Sequence, residues 1–400
     1  MKILYVINQI SDWSGDSGLL WLSVKLMQKR GHDVTIATTD GNPFRDPSSY
    51  EKYSQITKKI STSLENPIII NETPIIPVHS ISSHFGMYSI NAKSIARKTV
   101  KFFDLVHIYS WYHHIGIEFF KAAKKYHIPV VFTAMGTLQS DAKNFNKTQK
   151  SIIDQLYTKK IIQYASVLHS VGTSEIKSYS QLGGDTKKII QIENGLDPKD
   201  FEITSQSDIL KRFDLENKSY ILYLGRIHPK KGIELLLDSF KNISINDEIY
   251  LVVAGSGEDN YVEKIKKYVT SLGLSDKIKF PGLVSHEEKL TLLKNAKLFS
   301  LLSKSDVHPR AVQEALLMGT PVVISHECDY PEIEEYDAGI IVNLDSKQVT
   351  NSFEKILCAG NLEKISTNAR NLIHEKFLGI DQIMKFENIY LDILSKSMNN

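Results

Sequence analysis

The sequence is poor in cysteine and contains no long apolar segment. Among its 400 residues only Cys328 and Cys358 carry thiols, too few for a disulfide framework or a zinc cluster, which favours a reducing cytoplasmic compartment. No apolar run approaches the roughly 20 residues that cross a bilayer, and residues 1–6 lack the length and cleavage region of a signal peptide. We therefore expect neither secretion nor a membrane-spanning segment.

Signatures of nucleic-acid binding and of P-loop nucleotide binding are also missing. The chain has no Walker A motif and no complete GxGxxG fingerprint. No basic helix with interleaved aromatic residues occurs and the net charge is only +2, so we expect no nucleic-acid partner. The charge is unevenly divided, because residues 1–200 hold 24 Lys and Arg against 17 Asp and Glu, whereas residues 201–400 hold 24 against 29. The basic first half is the one that we expect to face an anionic surface.

Strand and helix patterns alternate along both halves of the chain. In the first half, residues 3–7 predict a buried strand, residues 8–18 a glycine-containing loop, and the pattern up to Gly31 a helix, before a second strand starts at Val34. This order is typical of a doubly wound α/β unit, whose ligands bind at the carboxyl ends of the strands. Gly15 in the loop would allow a phosphate to approach the backbone.

The most informative stretch is residues 298–325. An apolar strand leads into a polar loop, then into a helix that Pro309 opens and Gly319 ends, and then into a second apolar strand. Asp306 lies in the loop before the helix, and Glu314 lies about one and a half turns inside it. The amino terminus of a helix is suited to bind an anion, and the two carboxylates can accept protons from hydroxyl groups. An anion that carries hydroxyl groups suggests a sugar nucleotide.

Within this stretch, an acid is followed by seven residues, a glutamate and, further on, a Gly-Thr-Pro-Val-Val sequence that ends at Val323. The motif resembles that of the retaining GT-B glycosyltransferases of the family 4 type, except that its first acid is Asp306 where the family has Glu. The resemblance implies an α/β fold with two Rossmann-like, doubly wound domains facing a central cleft. It also implies that a sugar moves from a nucleoside diphosphate sugar to a hydroxyl of a glycan or lipid-linked acceptor, with retention of anomeric configuration. The absence of an Asp-x-Asp motif fits chemistry that needs neither a metal ion nor a cofactor.

A second motif lies at residues 225–232, where Arg226 and, five residues later, Lys231 follow a predicted strand. By the family resemblance, these two cations stabilise the leaving diphosphate, which gains charge as the glycosidic bond breaks. Asp306 then contacts the donor sugar and Glu314 the ribose. The resemblance places these further residues on the donor side: Gly15, Gly225, Gly257, Gly282, Leu283, Val284, Pro309, Arg310, Ala311 and Val312.

On the acceptor side the sequence departs from the family pattern. Residues 129–137 resemble a strand that ends at a catalytic-site histidine, but this chain has Met135 at that place. His113 and His114 follow the preceding strand and offer substitutes, although two adjacent histidines at a helix start also suit a capping or surface role. The departures leave two alternatives open: a sugar-nucleotide-binding homologue without transfer activity that acts as a partner subunit, and a GT-B sugar-nucleotide epimerase.

A domain boundary is predicted near residue 200, where the pattern becomes polar after the ENGLD sequence at residues 193–197. We expect residues 1–200 to form the acceptor domain and residues 201–380 to form the donor domain that binds the nucleotide sugar. In the related enzymes a last amphipathic helix, here residues 381–396, packs back onto the first domain.

Features suited to membrane contact occur in the first half. Tyr50, Tyr53, Ile56 and Ile60 form an apolar stripe among lysines, which suits either a helix lying on a membrane or a helix covering the edge of the core. Basic groups follow at Lys93, Arg97, Lys98 and Lys101. We therefore predict reversible contact with an anionic surface at the inner face of the cell membrane, and the alternative role of these lysines is solubility.

Overall fold

Each of the two units that the chain forms is built around one parallel β-sheet. The computed structural model describes residues 1–10, 15–41, 55–62, 67–83, 86–138, 147–203, 207–245 and 248–398. The first unit comprises Met1–Gly195 and Gly379–Asn400, and the second comprises Leu196–Leu378. The two parallel sheets with their flanking helices confirm the predicted GT-B fold class.

The described residues of the first unit contain ten strands. They are β1 Lys2–Val6, β2 Asp33–Thr39, β3 Ile68–Ile70, β4 Thr73–Val78, β5 Ser80–Ser83, β6 Gly86–Ser89, β7 Leu105–Tyr109, β8 Val130–Thr133, β9 Val167–Ser170 and β10 Ile189–Gln191. Eight of them form a sheet with the order β10-β9-β8-β7-β1-β2-β4-β3, in which β3 is the antiparallel edge strand. Strands β5 and β6 form a separate antiparallel hairpin. This hairpin is not predicted from the sequence.

Helices cover both faces of this first sheet. They are α1 Gly15–Lys29, α2 Gln55–Ser61, α3 Ala92–Thr99, α4 His114–Lys125, α5 Lys147–Ile153, α6 Lys159–Tyr164 and α7 Thr173–Gln181. A π-helical segment at Asp154–Thr158 connects α5 to α6. The apolar sides of α3, α4 and α6 share one buried cluster, so these three helices lie on the same face of the sheet.

The second unit contains a six-stranded parallel sheet. Its strands are β11 Ser219–Leu224, β12 Ile249–Ala254, β13 Ile278–Gly282, β14 Leu298–Leu301, β15 Val322–Ser325 and β16 Gly339–Val342, in the order β13-β12-β11-β14-β15-β16. Its helices are α8 Ile209–Arg212, α9 Ile233–Lys241, α10 Asp259–Ser271, α11 His286–Asn295, α12 Arg310–Leu317, α13 Glu332–Glu335, α14 Ser346–Leu357 and α15 Leu362–Lys376. Helices cover both faces of this sheet, so most side chains on both sides of its strands are buried. This explains why the strands appear in the sequence as short continuous apolar runs.

The last helix, α16 Gly379–Met398, packs its apolar stripe into the first unit. A chain of buried hydrogen bonds reinforces this packing: the Tyr390 hydroxyl contacts His107 Nδ1 at 2.5 Å, His107 Nε2 contacts Thr133 at 2.6 Å, and Thr133 contacts His169 Nδ1 at 2.8 Å. Burial lowers the pKa of His169 to about 4 and holds the pKa of His107 well below its ordinary value. Both imidazoles are therefore neutral at pH 7 and act as structural polar groups.

The predicted apolar stripe near residue 56 is not available to a membrane. Ile56 and Ile60 lie on α2 and are buried against the core of the first unit. Tyr50 and Tyr53 lie outside the described residues. For its two described members the membrane interpretation is wrong, and the alternative, a helix that covers the core edge, is confirmed.

No helix in the described ranges is both long enough and apolar enough to cross a membrane.

Candidate active site

In the second sheet the strand order reverses between β11 and β14. Strand β12 lies on one side of β11 and β14 on the other, and the crevice at the carboxyl ends of the strands at such a point is the usual ligand position. The two loops approach closely, since the backbone N–H of Lys304 donates to the Lys230 carbonyl at 2.8 Å. Gly232 has φ +67°, and a Cβ there would lie 2.0 Å from the Leu302 carbonyl oxygen. Glycine at this position is what permits the contact.

Lys231 and Asp306 form an ion pair in this crevice, with side chains that are 18% and 20% exposed. A short turn, Pro229–Lys231, places the lysine, and His228 Nδ1 caps that turn by accepting a backbone hydrogen bond at 3.1 Å. Arg226 stands at the carboxyl end of β11, is exposed, and forms no ion pair with any residue in the described ranges. Of the two predicted cations, Lys231 is therefore partly buried and paired with Asp306, whereas Arg226 is exposed to solvent.

Backbone hydrogen bonds tie the ends of β11, β12 and β13 together. The N–H of Gly225 donates to Ala254 at 3.0 Å, and the N–H of Gly255 donates to Gly282 at 2.8 Å. A Cβ on Gly257 would lie 2.0 Å from the Ile227 carbonyl oxygen, so this loop also requires a residue without a side chain. The predicted glycines at 225, 257 and 282 therefore share one edge of the sheet, and Leu283 and Val284 follow directly after β13.

Glu314 lies buried inside α12, where it accepts hydrogen bonds from Lys289 Nζ at 2.8 Å and from Arg310 Nε at 3.1 Å. Burial by itself raises the pKa of this carboxyl, but the two cations more than offset that effect and hold the pKa below its usual value. The carboxylate is therefore charged at neutral pH.

The amino terminus of α12 offers hydrogen-bond donors beside this cluster. Pro309 is the N-cap, and the first backbone N–H groups of a helix have no partner within the helix. The Nη1 atom of Arg310 is buried and has no hydrogen bond within the described part of the chain. Ala311 and Val312 belong to the same first turn, but the Val312 side chain is buried in the core and its N–H donates to the Pro309 carbonyl at 3.0 Å. These donors suit an anionic group.

In the first unit, the predicted residues lie at three places. Gly15 is the first residue of α1. Met135 follows β8 in a left-handed conformation, φ +52°, and lines a cavity of about 30 Å³ together with Leu19, Leu22 and His169. The neutral His169 is the imidazole beside Met135, and the sequence pattern did not single it out.

His113 and His114 start helix α4. His113 is its N-cap: Nδ1 accepts from the N–H of Gly116 at 3.0 Å, Nε2 contacts the Tyr109 carbonyl at 3.2 Å, and burial lowers the pKa to about 4. Because both ring nitrogens are used within the unit, this geometry favours the capping alternative for His113. His114 instead stacks on Tyr88, with ring centroids 4.1 Å apart.

Sequence reasoning missed Lys289 and His228. Lys289 lies on α11, 25 residues before the glutamate that it contacts, and no local spacing links the two. The HPKK sequence at residues 228–231 could have predicted the capping role of His228. A side chain that accepts a hydrogen bond, placed directly before a proline, is suited to cap a short helical turn.

Comparison with protein-family models and known sequences gives four matches of interest. The model described as Glycosyl transferases group 1 matches residues 206–372, and the model described as Glycosyltransferase Family 4 matches residues 23–200. An uncharacterised glycosyltransferase of Methanocaldococcus jannaschii is 24% identical over 379 residues, which cover 90% of each chain. N-acetyl-alpha-D-glucosaminyl L-malate synthase of Bacillus anthracis is 21% identical over 397 residues, which cover 96% of each chain.

Solved structures resemble the chain over nearly its whole length. The Anabaena protein HepE in complex with UDP and glucose matches with a TM-score of 0.76 at 18% identity, over 98% of this chain and 100% of that one. Sucrose-phosphate synthase from Thermosynechococcus elongatus matches with a TM-score of 0.76 at 16% identity, over 99% of both chains. At these identities the likeness shows a shared fold.

Proposed function

Because the chain belongs to the group 1 glycosyltransferases and has their GT-B fold, we propose that it transfers a sugar, with retention of anomeric configuration, from a nucleoside diphosphate sugar to a hydroxyl of a glycan or lipid-linked acceptor. The observation that carries this proposal is the crevice in the second unit, where Lys231 pairs with Asp306 beside the open Arg226. Two cations and a helix amino terminus suit a diphosphate, and the acids suit the hydroxyl groups of the sugar and ribose.

In this mechanism the bond from the anomeric carbon to the diphosphate oxygen breaks while a bond to the acceptor oxygen forms. The acceptor proton leaves with the diphosphate. Arg226 and Lys231 stabilise the charge that develops on the leaving group, while Asp306 and Glu314 hold the donor sugar and the ribose. Positioning and leaving-group electrostatics can supply the rate enhancement without a covalent nucleophile. Since the chain itself supplies the two cations, we propose that transfer proceeds without a metal ion or cofactor.

Calorimetry with UDP-, GDP- and ADP-sugars tests the donor. We expect at least one to bind, with an affinity that EDTA does not change, and the purified protein to hydrolyse or transfer that donor. If none of them binds even at millimolar concentration, the proposed function fails. Binding without hydrolysis or transfer would instead favour the alternative of a partner subunit that only holds the sugar nucleotide.

The acceptor side of the proposal rests on the surface of the first unit that we call the basic helical face. It is the outward side of α3, α4 and α6, whose inward sides share one core cluster. Its exposed basic residues are Lys93, Arg97, Lys98, Lys101, Lys121, Lys124, Lys125, Lys159 and Lys160. Glu118, the one acid in these three helices, is buried against Lys121, and Asp154 in the π-helical segment before α6 accepts from the Tyr112 hydroxyl at 2.8 Å.

Exposed apolar side chains flank these helices: Phe102 in the turn after α3, Ile152 on α5, and Leu156 in the π-helical segment before α6. A positive face with a few projecting apolar groups suits the surface of an anionic bilayer, which attracts basic residues by about 1 kcal/mol each. We therefore propose reversible contact with the inner face of the cell membrane, where a lipid-linked or growing glycan would be presented.

Sedimentation with vesicles tests this contact. The protein should sediment with vesicles that contain phosphatidylglycerol, less so at higher salt, and not with pure phosphatidylcholine vesicles. Replacing Lys159 and Lys160 together with alanine should weaken binding by about thirtyfold, because two residues contribute about 2 kcal/mol. The matched control replaces Lys264 and Lys266, exposed lysines of α10 in the second unit, and should bind as wild type. Equal, negligible binding to both kinds of vesicle would contradict the proposal.

A further inference from the structure

The hairpin of β5 and β6 presents an unusual outward face. Its register pairs Ser80 with Ser89 and Ile81 with Tyr88, and the N–H of Ile90 donates to the His79 carbonyl at 2.8 Å, which extends the ladder by one pair. Because side chains alternate across a strand, His79, Ile81, Tyr88 and Ile90 share one face. Ile81, Tyr88 and Ile90 are 53%, 52% and 61% exposed, whereas Ser89 on the opposite face is buried. The apolar side of the hairpin therefore points to solvent.

Asp40 and His79 form a hydrogen-bonded pair at one end of this face. Asp40 follows β2 and His79 follows β4, and these neighbouring parallel strands end at the same edge of the sheet. The Asp40 carboxylate accepts from His79 Nδ1 at 2.7 Å and from the backbone N–H and hydroxyl of Ser80 at 2.8 and 3.0 Å. With three hydrogen bonds holding the acid, the imidazole has a defined orientation.

The remaining ring nitrogen of His79 is available. Since Nδ1 donates to Asp40, Nε2 is the ring nitrogen left to form a hydrogen bond with a hydroxyl group. No residue in the described ranges bonds to this atom, and the His79 side chain is partly exposed.

Tyr88 supplies a flat surface close by. One side of its ring stacks on His114 with centroids 4.1 Å apart, which holds the ring in place, while half of the residue stays exposed. His79 and Tyr88 are diagonal neighbours in the ladder, and such neighbours are about 7–8 Å apart. This spacing is the scale of a single six-membered sugar ring.

We propose that this hairpin face and the Asp40–His79 pair bind a pyranose ring of the glycan acceptor, an assignment that rests on the proposed function. The C–H face of the sugar lies on Tyr88 beside the exposed isoleucines, and one sugar hydroxyl forms a hydrogen bond with His79 Nε2. An aromatic ring next to a few oriented polar groups is a common arrangement for recognising a ligand with one apolar and one polar side. The hairpin thus contributes to acceptor recognition and takes no part in donor binding.

Saturation-transfer NMR on the full chain, without any nucleotide, tests this site. The probes are the methyl α-glycosides of glucose, galactose and N-acetylglucosamine at tens of millimolar. We expect saturation transfer to at least one glycoside, and a loss of affinity of about tenfold in Tyr88→Ala and in His79→Ala, because each removes a contact worth roughly 1.4 kcal/mol. Tyr88→Phe keeps the ring and should retain binding.

Ile69→Ala is the control for removing an exposed apolar side chain, since Ile69 lies on the edge strand β3 and is 66% exposed, against 52% for Tyr88. It should bind the glycosides as wild type, and circular dichroism should show that all variants are folded. The proposal is overturned if no glycoside binds the wild-type chain, or if binding survives in both Tyr88→Ala and His79→Ala. Failure of the sugar-nucleotide calorimetry, by contrast, would contradict the proposed donor chemistry and leave a glycoside result at the hairpin unaffected.

Discussion

Replacing Lys231 with alanine is expected to lower the turnover number about a hundredfold while leaving the folded protein nearly as stable as wild type. The lysine stands in the crevice of the second unit, where it would meet the leaving diphosphate. Removing one charge-assisted contact that strengthens in the transition state costs about 3 kcal/mol, which is about a hundredfold in rate. Stability should change little, because Asp306 keeps the Ser303 hydroxyl at 3.4 Å and its neighbour's N–H at 3.3 Å as donors, and ion pairs with access to solvent contribute about 1 kcal/mol or less. Steady-state kinetics with the donor found by calorimetry, together with thermal unfolding, measures both quantities.

The Lys231–Asp306 pair also allows the role of the lysine to be separated from that of the acid. Asp306→Asn removes the counter-charge and keeps the lysine, whereas Asp306→Glu restores the acid that the family has at this position. A double-mutant cycle with Lys231→Ala and Asp306→Asn gives the coupling of the two groups in turnover. Lys264→Ala, which removes an exposed lysine paired with Glu234, is the control and should keep wild-type turnover. Unchanged turnover in Lys231→Ala would remove this lysine from the site.

Replacing Glu314 with alanine is expected to destabilise the second unit by about 3–5 kcal/mol and to abolish measurable sugar-nucleotide binding. The glutamate is almost fully buried, and without it Lys289 and Arg310 keep their charges in a shielded place with no acid to pair them. Breaking a buried ion pair by removing one partner typically costs that much. Scanning calorimetry measures the stability, and titration calorimetry with the donor measures the binding.

Acid titration provides a second readout for Glu314. Its pKa is lower in the folded protein than the ordinary value, so the folded state favours the charged form. The stability that this group contributes is present above the ordinary carboxyl pKa and is lost as the pH falls through the depressed pKa. The stability difference between wild type and Glu314→Ala should therefore shrink in acid. Glu234→Ala, which breaks a more exposed pair on α9, is the matched control and should cost less than about 1 kcal/mol.

Local signals in the sequence determined much of the second unit. The predicted strand, loop, helix and strand at residues 298–325 correspond to β14, α12 and β15, with boundaries within one or two residues. Ser285 and Glu288 form a capping box at the start of α11, a signal that lies within four residues of the chain. These elements are readable because proline, glycine and capping residues act on their own backbone within a few residues, whatever the rest of the chain does.

Other parts of the site depend on contacts between residues that are distant in the chain. The pairing of Lys289 with Glu314, the cavity beside Met135, and the burial of Ile56 arise only when separate strands and helices pack together. The hairpin face illustrates the reason most clearly: Asp40 and His79 are 39 residues apart, and each looks like an ordinary loop residue by itself. Apart from the β5–β6 hairpin, the sequence alone determined where the main strands and helices of the sheets lie and which motifs stand at their ends, because backbone preferences are local. The tertiary structure alone decided which charges pair and which apolar side chains stay exposed, because burial and electrostatic contact depend on the neighbours that the fold supplies.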